Sequence, residues 1–123
     1  MPRNHNLLLN DILDSIRKIL DYAGNDSIDV LARNEMKIDA IVRNFEIIGE
    51  ASKNLPESIK ESHPDVEWRK IESFRNVLAH EYFGIDIDIL WDIITNKLPD
   101  LSAGIRAIVK SEAQLSPHDR SSR

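Results

Sequence analysis

Apolar residues along the chain recur mostly at steps of three and four, the spacing that lines one face of a helix. Leu8, Leu9, Ile12, Leu13, Ile16, Ile19, Leu20 and Ala23 follow it, and Gly24-Asn25-Asp26 supplies turn residues where it stops. This predicts a first amphipathic helix of about four turns over Leu7 to Ala23. After a short piece around Ile28 to Ala32, the series Ile38, Ile41, Phe45, Ile48, Ser52, Leu55 alternates steps of three and four. Such a seam packs along a neighbouring helix, and Pro56 ends it. Within it, Gly49, Ala51 and Ser52 form a patch of small residues. A glycine there costs about 1 kcal/mol of helix propensity, which the close approach of another backbone would offset.

Pro56 to His63 reads as a short helix or turn. Pro64-Asp65 is an entry signal for a further helix carrying Trp68, Ile71, Phe74 and Leu78, with Gly84 as the residue that closes it. The stretch Ile85-Asp86-Ile87-Asp88-Ile89 alternates like a strand. It runs directly into Leu90, Ile94, Leu98, Leu101, Ile105 and Ile108 at helical spacing, so a helix capped by Asp86 is preferred. Pro99 interrupts that helix without shifting its apolar register, which predicts a kink or a break between two collinear pieces. From Ser111 onward apolar content is low. The expected organisation is one helical domain over residues 1–110 and a disordered tail over 111–123. Four main amphipathic helices and a short extra one make an all-α antiparallel four-helix bundle the economical architecture.

Composition narrows the function more than the fold. The 123 residues carry a net charge of −5, with no cysteine, so a disulfide framework and a thiolate metal site are both excluded. No apolar run approaches the roughly 20 residues that cross a bilayer, and the first residues do not read as a secretion signal. The cytoplasm is therefore expected, with no membrane partner. A pI near 5.3 argues against a general nucleic-acid coat and leaves only a local basic patch, with Arg43, Lys53, Arg69 and Lys70 as candidates.

The densest chemistry lies in Arg75-Asn76-Val77-Leu78-Ala79-His80-Glu81-Tyr82. At about 100° per residue from Ile71 as the centre of the buried face, Arg75 and Tyr82 fall beside the core, whereas His80 falls opposite with Asn76 one turn before it. A surface of Asn76, His80 and Phe83 is a place for a second subunit, and a two-fold dimer would bring two copies of His80 to one cleft. The bland alternative is an arginine that snorkels to an acid beside an idle surface histidine. Arg43, Glu46, Glu50 and Lys53 form a charged stripe on the preceding long helix. It reads first as a solvated face, with Glu50 kept as an acid that could support the site from behind. No Glu-x-x-His pair exists for a di-metal bundle. Asp86, Asp88 and Asp92 could approach a cation with His80, but capping explains the first two more simply, so no metal is expected. No phosphate-cradling glycine loop is present either, and no cofactor is expected.

Arg75-x4-His80-x-Tyr82, with Asn76 directly after the arginine, resembles the signature of the HEPN superfamily in the form carried by its HepT-like toxins. The resemblance extends to Ile47-Ile48-Gly49-Glu50-Ala51 with Lys53 and Pro56, to Trp68, and to Ile87 through Trp91 followed by Leu98-Pro99, covering about residues 7 to 110. It implies a homodimeric, metal-independent endoribonuclease with RNA as substrate. It further implies a toxin encoded beside a minimal nucleotidyltransferase antitoxin that silences it by AMPylation of the motif tyrosine, here Tyr82. Arg75 and His80 would then be catalytic: the imidazole handles the proton of a ribose 2′-hydroxyl or of the leaving oxygen, and the guanidinium stabilises charge on the phosphate. Asn76 would orient the imidazole or a phosphate oxygen. The alternative is a non-catalytic module of the same fold that binds RNA or a nucleotide, or docks the nucleotidyltransferase.

Overall fold

The computed structural model describes residues 5–74 and 86–121, with side chains described through Ala113. Every regular element among the described residues is helical. Helix α1 spans His5–Ala23 and buries Leu9, Ile12, Ser15, Ile16, Ile19 and Ala23 along one face. It closes as the spacing predicts: Gly24 takes the left-handed conformation at φ 54°, and its N–H donates to the Leu20 carbonyl at 2.9 Å. Glycine adopts that backbone without a Cβ penalty. Leu20, read with the apolar face, is instead 38% exposed.

Helix α2, Ile28–Ala32, starts at Ser27, whose hydroxyl accepts from the Val30 N–H. Helix α3, Glu35–Lys53, starts at Asn34, whose side chain accepts from the Lys37 N–H. These caps satisfy donors that the first turn leaves without intrahelical partners. The seam on α3 packs as its spacing requires: Ile41, Phe45, Ile48 and Ser52 are all buried, and Leu55 is buried just past its end. α1 packs along α3 and also meets the C-terminal helix.

Helix α4, Glu57–Ser62, follows Pro56. Helix α5, Trp68–Glu72, begins four residues later than Pro64 would place it. The difference comes from Val66, which turns into the core while its N–H donates to His63 and its carbonyl accepts from Trp68, making a turn rather than helix. The Trp68 indole N–H also donates to the His63 carbonyl at 3.0 Å, so the large ring is buried with its one donor satisfied.

Helix α6, Ile87–Asp92, is capped by Asp86, whose carboxylate accepts from the Asp88 and Ile89 N–H groups at 3.0 and 3.2 Å. The chain continues through a π-helical turn, Ile93–Lys97, into helix α7, Leu98–Ser121. The proline thus makes neither a break nor a second start. In that turn the Leu98 N–H reaches back to the Ile93 carbonyl, an i→i+5 bond. This widened turn precedes Pro99, whose ring would otherwise press on the carbonyl of Thr95. Ile94, Leu98, Leu101, Ile105 and Ile108 remain buried on one face throughout. Backbone helix continues through Ser121, and the His5 imidazole meets the Glu112 carboxylate at 3.1 Å, tying α7 to the start of α1.

Candidate active site

Two long helices and two short ones converge on the point where the chain enters the Arg75 to Tyr82 stretch. The central contact is made at Gly49. A Cβ built there would lie 3.4 Å from the Ile71 carbonyl oxygen and 3.5 Å from that of Glu72, so α5 crosses α3 backbone to side-chain-free backbone. The sequence anticipated a close approach at this glycine, and α5 is the neighbour that makes it. Ile71 is buried beside it. Three positions on, the Phe74 ring meets Phe45 edge to face at 5.1 Å and 86°, a favoured arrangement for aromatic quadrupoles. Asp86, on the far side of the motif, is fixed by its capping bonds.

Of the residues the sequence nominates, Arg75, Asn76, His80 and Tyr82 lie outside the described residues. Glu50 is described. It is exposed on α3 and accepts a long hydrogen bond from the Asn54 amide at 3.4 Å. It lines a groove of about 700 Å³ together with Asp11, Arg43, Glu46, Lys53 and Glu72. Four of those six side chains are carboxylates, so the groove is not a basic phosphate track. Arg43 is engaged with Glu46 at 3.6 Å, and Lys70 with Glu67 at 3.1 Å. Among the described residues, Lys53 and Arg69 are the two nominated cations that form no ion pair. The electrostatics of the stripe are those of a solvated helix face.

A second cavity, of about 600 Å³, is lined by residues that precede and follow the motif in sequence, Ile71 and Phe74 before it and Ile89 and Ile93 after it. Its floor is apolar, and Asp65, Lys70, Asp92, Lys97 and Asp100 stand at its rim. Among the described residues no group of His, Asp and Glu is gathered as a metal site requires. The Asp86, Asp88, Asp92 series is used otherwise, Asp86 as a cap and Asp92 as the acceptor for Asn96 at 2.7 Å.

Two residues that the spacing did not single out meet at the end of α5, three positions before Arg75 in sequence. The Lys60 ammonium donates to the Glu72 carboxylate at 2.7 Å, with the lysine side chain only 10% exposed. Glu72 is the last residue of α5 and lines the Glu50 groove. The only sequence signal was their charge, since a pair twelve positions apart belongs to no helical period.

The profile of a family described as Ribonuclease HepT-like matches residues 12–108. A provisionally named RNase of Methanocaldococcus jannaschii is 38% identical over 83% of this chain and 84% of its own. A ribonuclease HepT of Thermococcus cleftensis, named with the same reserve, is 34% identical over 89% of this chain and the whole of its own. A further provisionally named RNase, from Caldanaerobacter subterraneus subsp. tengcongensis, is 35% identical over 85% of this chain and 93% of its own. No solved structure gives a significant match. No helix among the described residues is long and apolar enough to cross a membrane.

Proposed function

Because the chain belongs to the HepT-like ribonuclease family, we propose that it is a metal-independent endoribonuclease whose catalytic residues are Arg75 and His80. The observation that carries this is the family match over residues 12–108, which encloses the whole Arg75 to Tyr82 stretch. The chemistry suits these side chains. An imidazole exchanges a proton near neutral pH and can deprotonate the ribose 2′-hydroxyl or protonate the departing 5′-oxygen. The attacking 2′-oxygen forms its bond to phosphorus as the bond to the 5′-oxygen breaks, leaving a 2′,3′-cyclic phosphate. Arg75, permanently charged and planar, stabilises the charge on the phosphoryl oxygens. Asn76 orients the imidazole or a phosphoryl oxygen, and Glu50 supports the site from α3.

The same proposal includes an antiparallel four-helix bundle and a homodimer that places two copies of His80 in one cleft and lets them divide the acid and base roles. It also includes a toxin role held in check by a minimal nucleotidyltransferase antitoxin that adds AMP to Tyr82, within the cytoplasm. A second reading is a module that binds RNA or a nucleotide or docks the nucleotidyltransferase without cutting; the pI near 5.3 gives it weight against RNA cleavage, and the acidic groove beside Glu50 favours its docking form. Incubation with RNA separates the two. The catalytic reading expects cleavage that persists in EDTA and is lost in His80→Ala. RNA left intact by the wild-type protein, or cleavage abolished by the chelator, would overturn it.

A further inference from the structure

The Lys60 side chain is the contact by which the short helix α4 reaches the elements that lead into the motif. α4 is six residues long, has no side-chain cap at its start and buries only Ile59. Packing alone therefore gives it little reason to hold one orientation. Its lysine, however, is nearly enclosed, and the ammonium faces two groups at once. One is the Glu72 carboxylate at 2.7 Å. The other, at 3.5 Å, is the carbonyl oxygen of Lys53 at the end of α3, where the helix dipole is negative and favours a cation. The ammonium thus joins the end of α3, α4 and the end of α5.

α5 is a helix of only five residues, too short to hold itself straight without tertiary contacts. Its start is held by buried Trp68, whose indole N–H bonds the His63 carbonyl, and its inner face by the Gly49 crossing and buried Ile71. At its C-terminal end, where the chain goes on towards the motif, the side-chain tie is Lys60 to Glu72. We propose that Lys60 is a positioning residue for the Arg75 and His80 site, setting through Glu72 the direction in which the chain leaves α5. This rests on the ribonuclease reading for its purpose, but not for its geometry.

The test is made on the full chain with Lys60→Met and with Lys60→Gln, the milder change in case the first fails to fold. Two quantities are read: the backbone amide chemical shifts of residues 75–82, and the kinetics of RNA cleavage. The amides of the motif should move although Lys60 is distant in sequence. The kcat should fall roughly tenfold or more with KM within about twofold, the signature of a mispositioned reacting group. Lys60→Arg should restore both. Motif amides at wild-type positions in a folded Lys60 variant would overturn the proposal. Amides that move in a protein whose wild-type form cuts no RNA would support the positioning role and defeat the ribonuclease reading instead.

Discussion

Gly49 is where the fold can be tested with a single atom. Substituting alanine places a methyl group 3.4 Å from one carbonyl oxygen and 3.5 Å from another, about the separation of an ordinary C···O contact. Nothing must move, while the helix interior regains about 1 kcal/mol of propensity. Gly49→Ala should thus raise stability by about 0.5 to 1 kcal/mol, or roughly 2 to 4 °C in midpoint for a domain of this size. Gly49→Leu recovers nearly the same propensity, but its further carbons have no space between α3 and the backbone of α5. Overpacking against a helix backbone falls in the upper part of the usual range, about 2 to 3 kcal/mol, so the net change is a loss of about 1 to 2 kcal/mol. Because α5 leads into the motif, RNA cleavage should fall with it. Urea denaturation followed by far-ultraviolet circular dichroism measures both variants, with an unchanged slope showing that stability alone has altered. A leucine variant as stable as the wild type would refute the close crossing. So would an alanine variant destabilised by more than about 1 kcal/mol, because that loss would need carbonyls closer to Gly49 than ordinary contact allows.

Ser52 is fully buried, and among the described residues its hydroxyl has no hydrogen-bond partner. Ser52→Ala should therefore leave stability unchanged or raise it by up to about 1 kcal/mol, because the hydroxyl is desolvated without return; a clear drop in the denaturation midpoint would contradict this. Arg17 and then Lys18 hold the Asp14 carboxyl below its usual range through side-chain hydrogen bonds. Whatever this contributes is present above the unfolded pKa near 3.8 and lost as pH falls through the lower folded value. The group is fully exposed, so Asp14→Asn should leave the thermal midpoint at pH 7 and physiological salt unaltered. The expected tail over 111–123 carries, among its described side chains, only the Glu112 partner of His5; truncation after Lys110 should cost less than about 1 kcal/mol in a urea titration.

The parts of this molecule written in local chemistry were legible before any coordinates. Ile38, Ile41, Phe45, Ile48, Ser52 and Leu55 share one helical period, and all are buried except half-buried Ile38. Gly24 and Asp86 were picked by capping chemistry and perform it. The family match over residues 12–108 falls within the span of the resemblance read from the motif and its flanks. What was not legible depends on contacts between distant positions. A proline inside an unbroken apolar register signals stress in a helix, but not that a π-helical turn will absorb it. Lys60 on a short polar helix reads as a solvated charge until α5 brings Glu72 to 2.7 Å. Trp68 begins its helix late because Val66 is drawn into the core, a tertiary effect that the strong Pro64-Asp65 entry signal conceals. For the site, helical spacing placed Arg75 and Tyr82 beside the core and Asn76 and His80 on the outer face. Those four residues lie outside the described ones, so their arrangement stands as part of the proposal.

The central claim is that this chain cuts RNA by turning the substrate's own 2′-hydroxyl against the adjacent phosphate, with Arg75 and His80 as the agents. Mass spectrometry of the RNA termini after incubation with the purified protein tests it most directly. Fragments from the wild type should end in a 2′,3′-cyclic phosphate upstream and a 5′-hydroxyl downstream of each cut, and Arg75→Ala should yield none. Fragments with 3′-hydroxyl and 5′-phosphate ends, or equal yields from the two proteins, would contradict the claim.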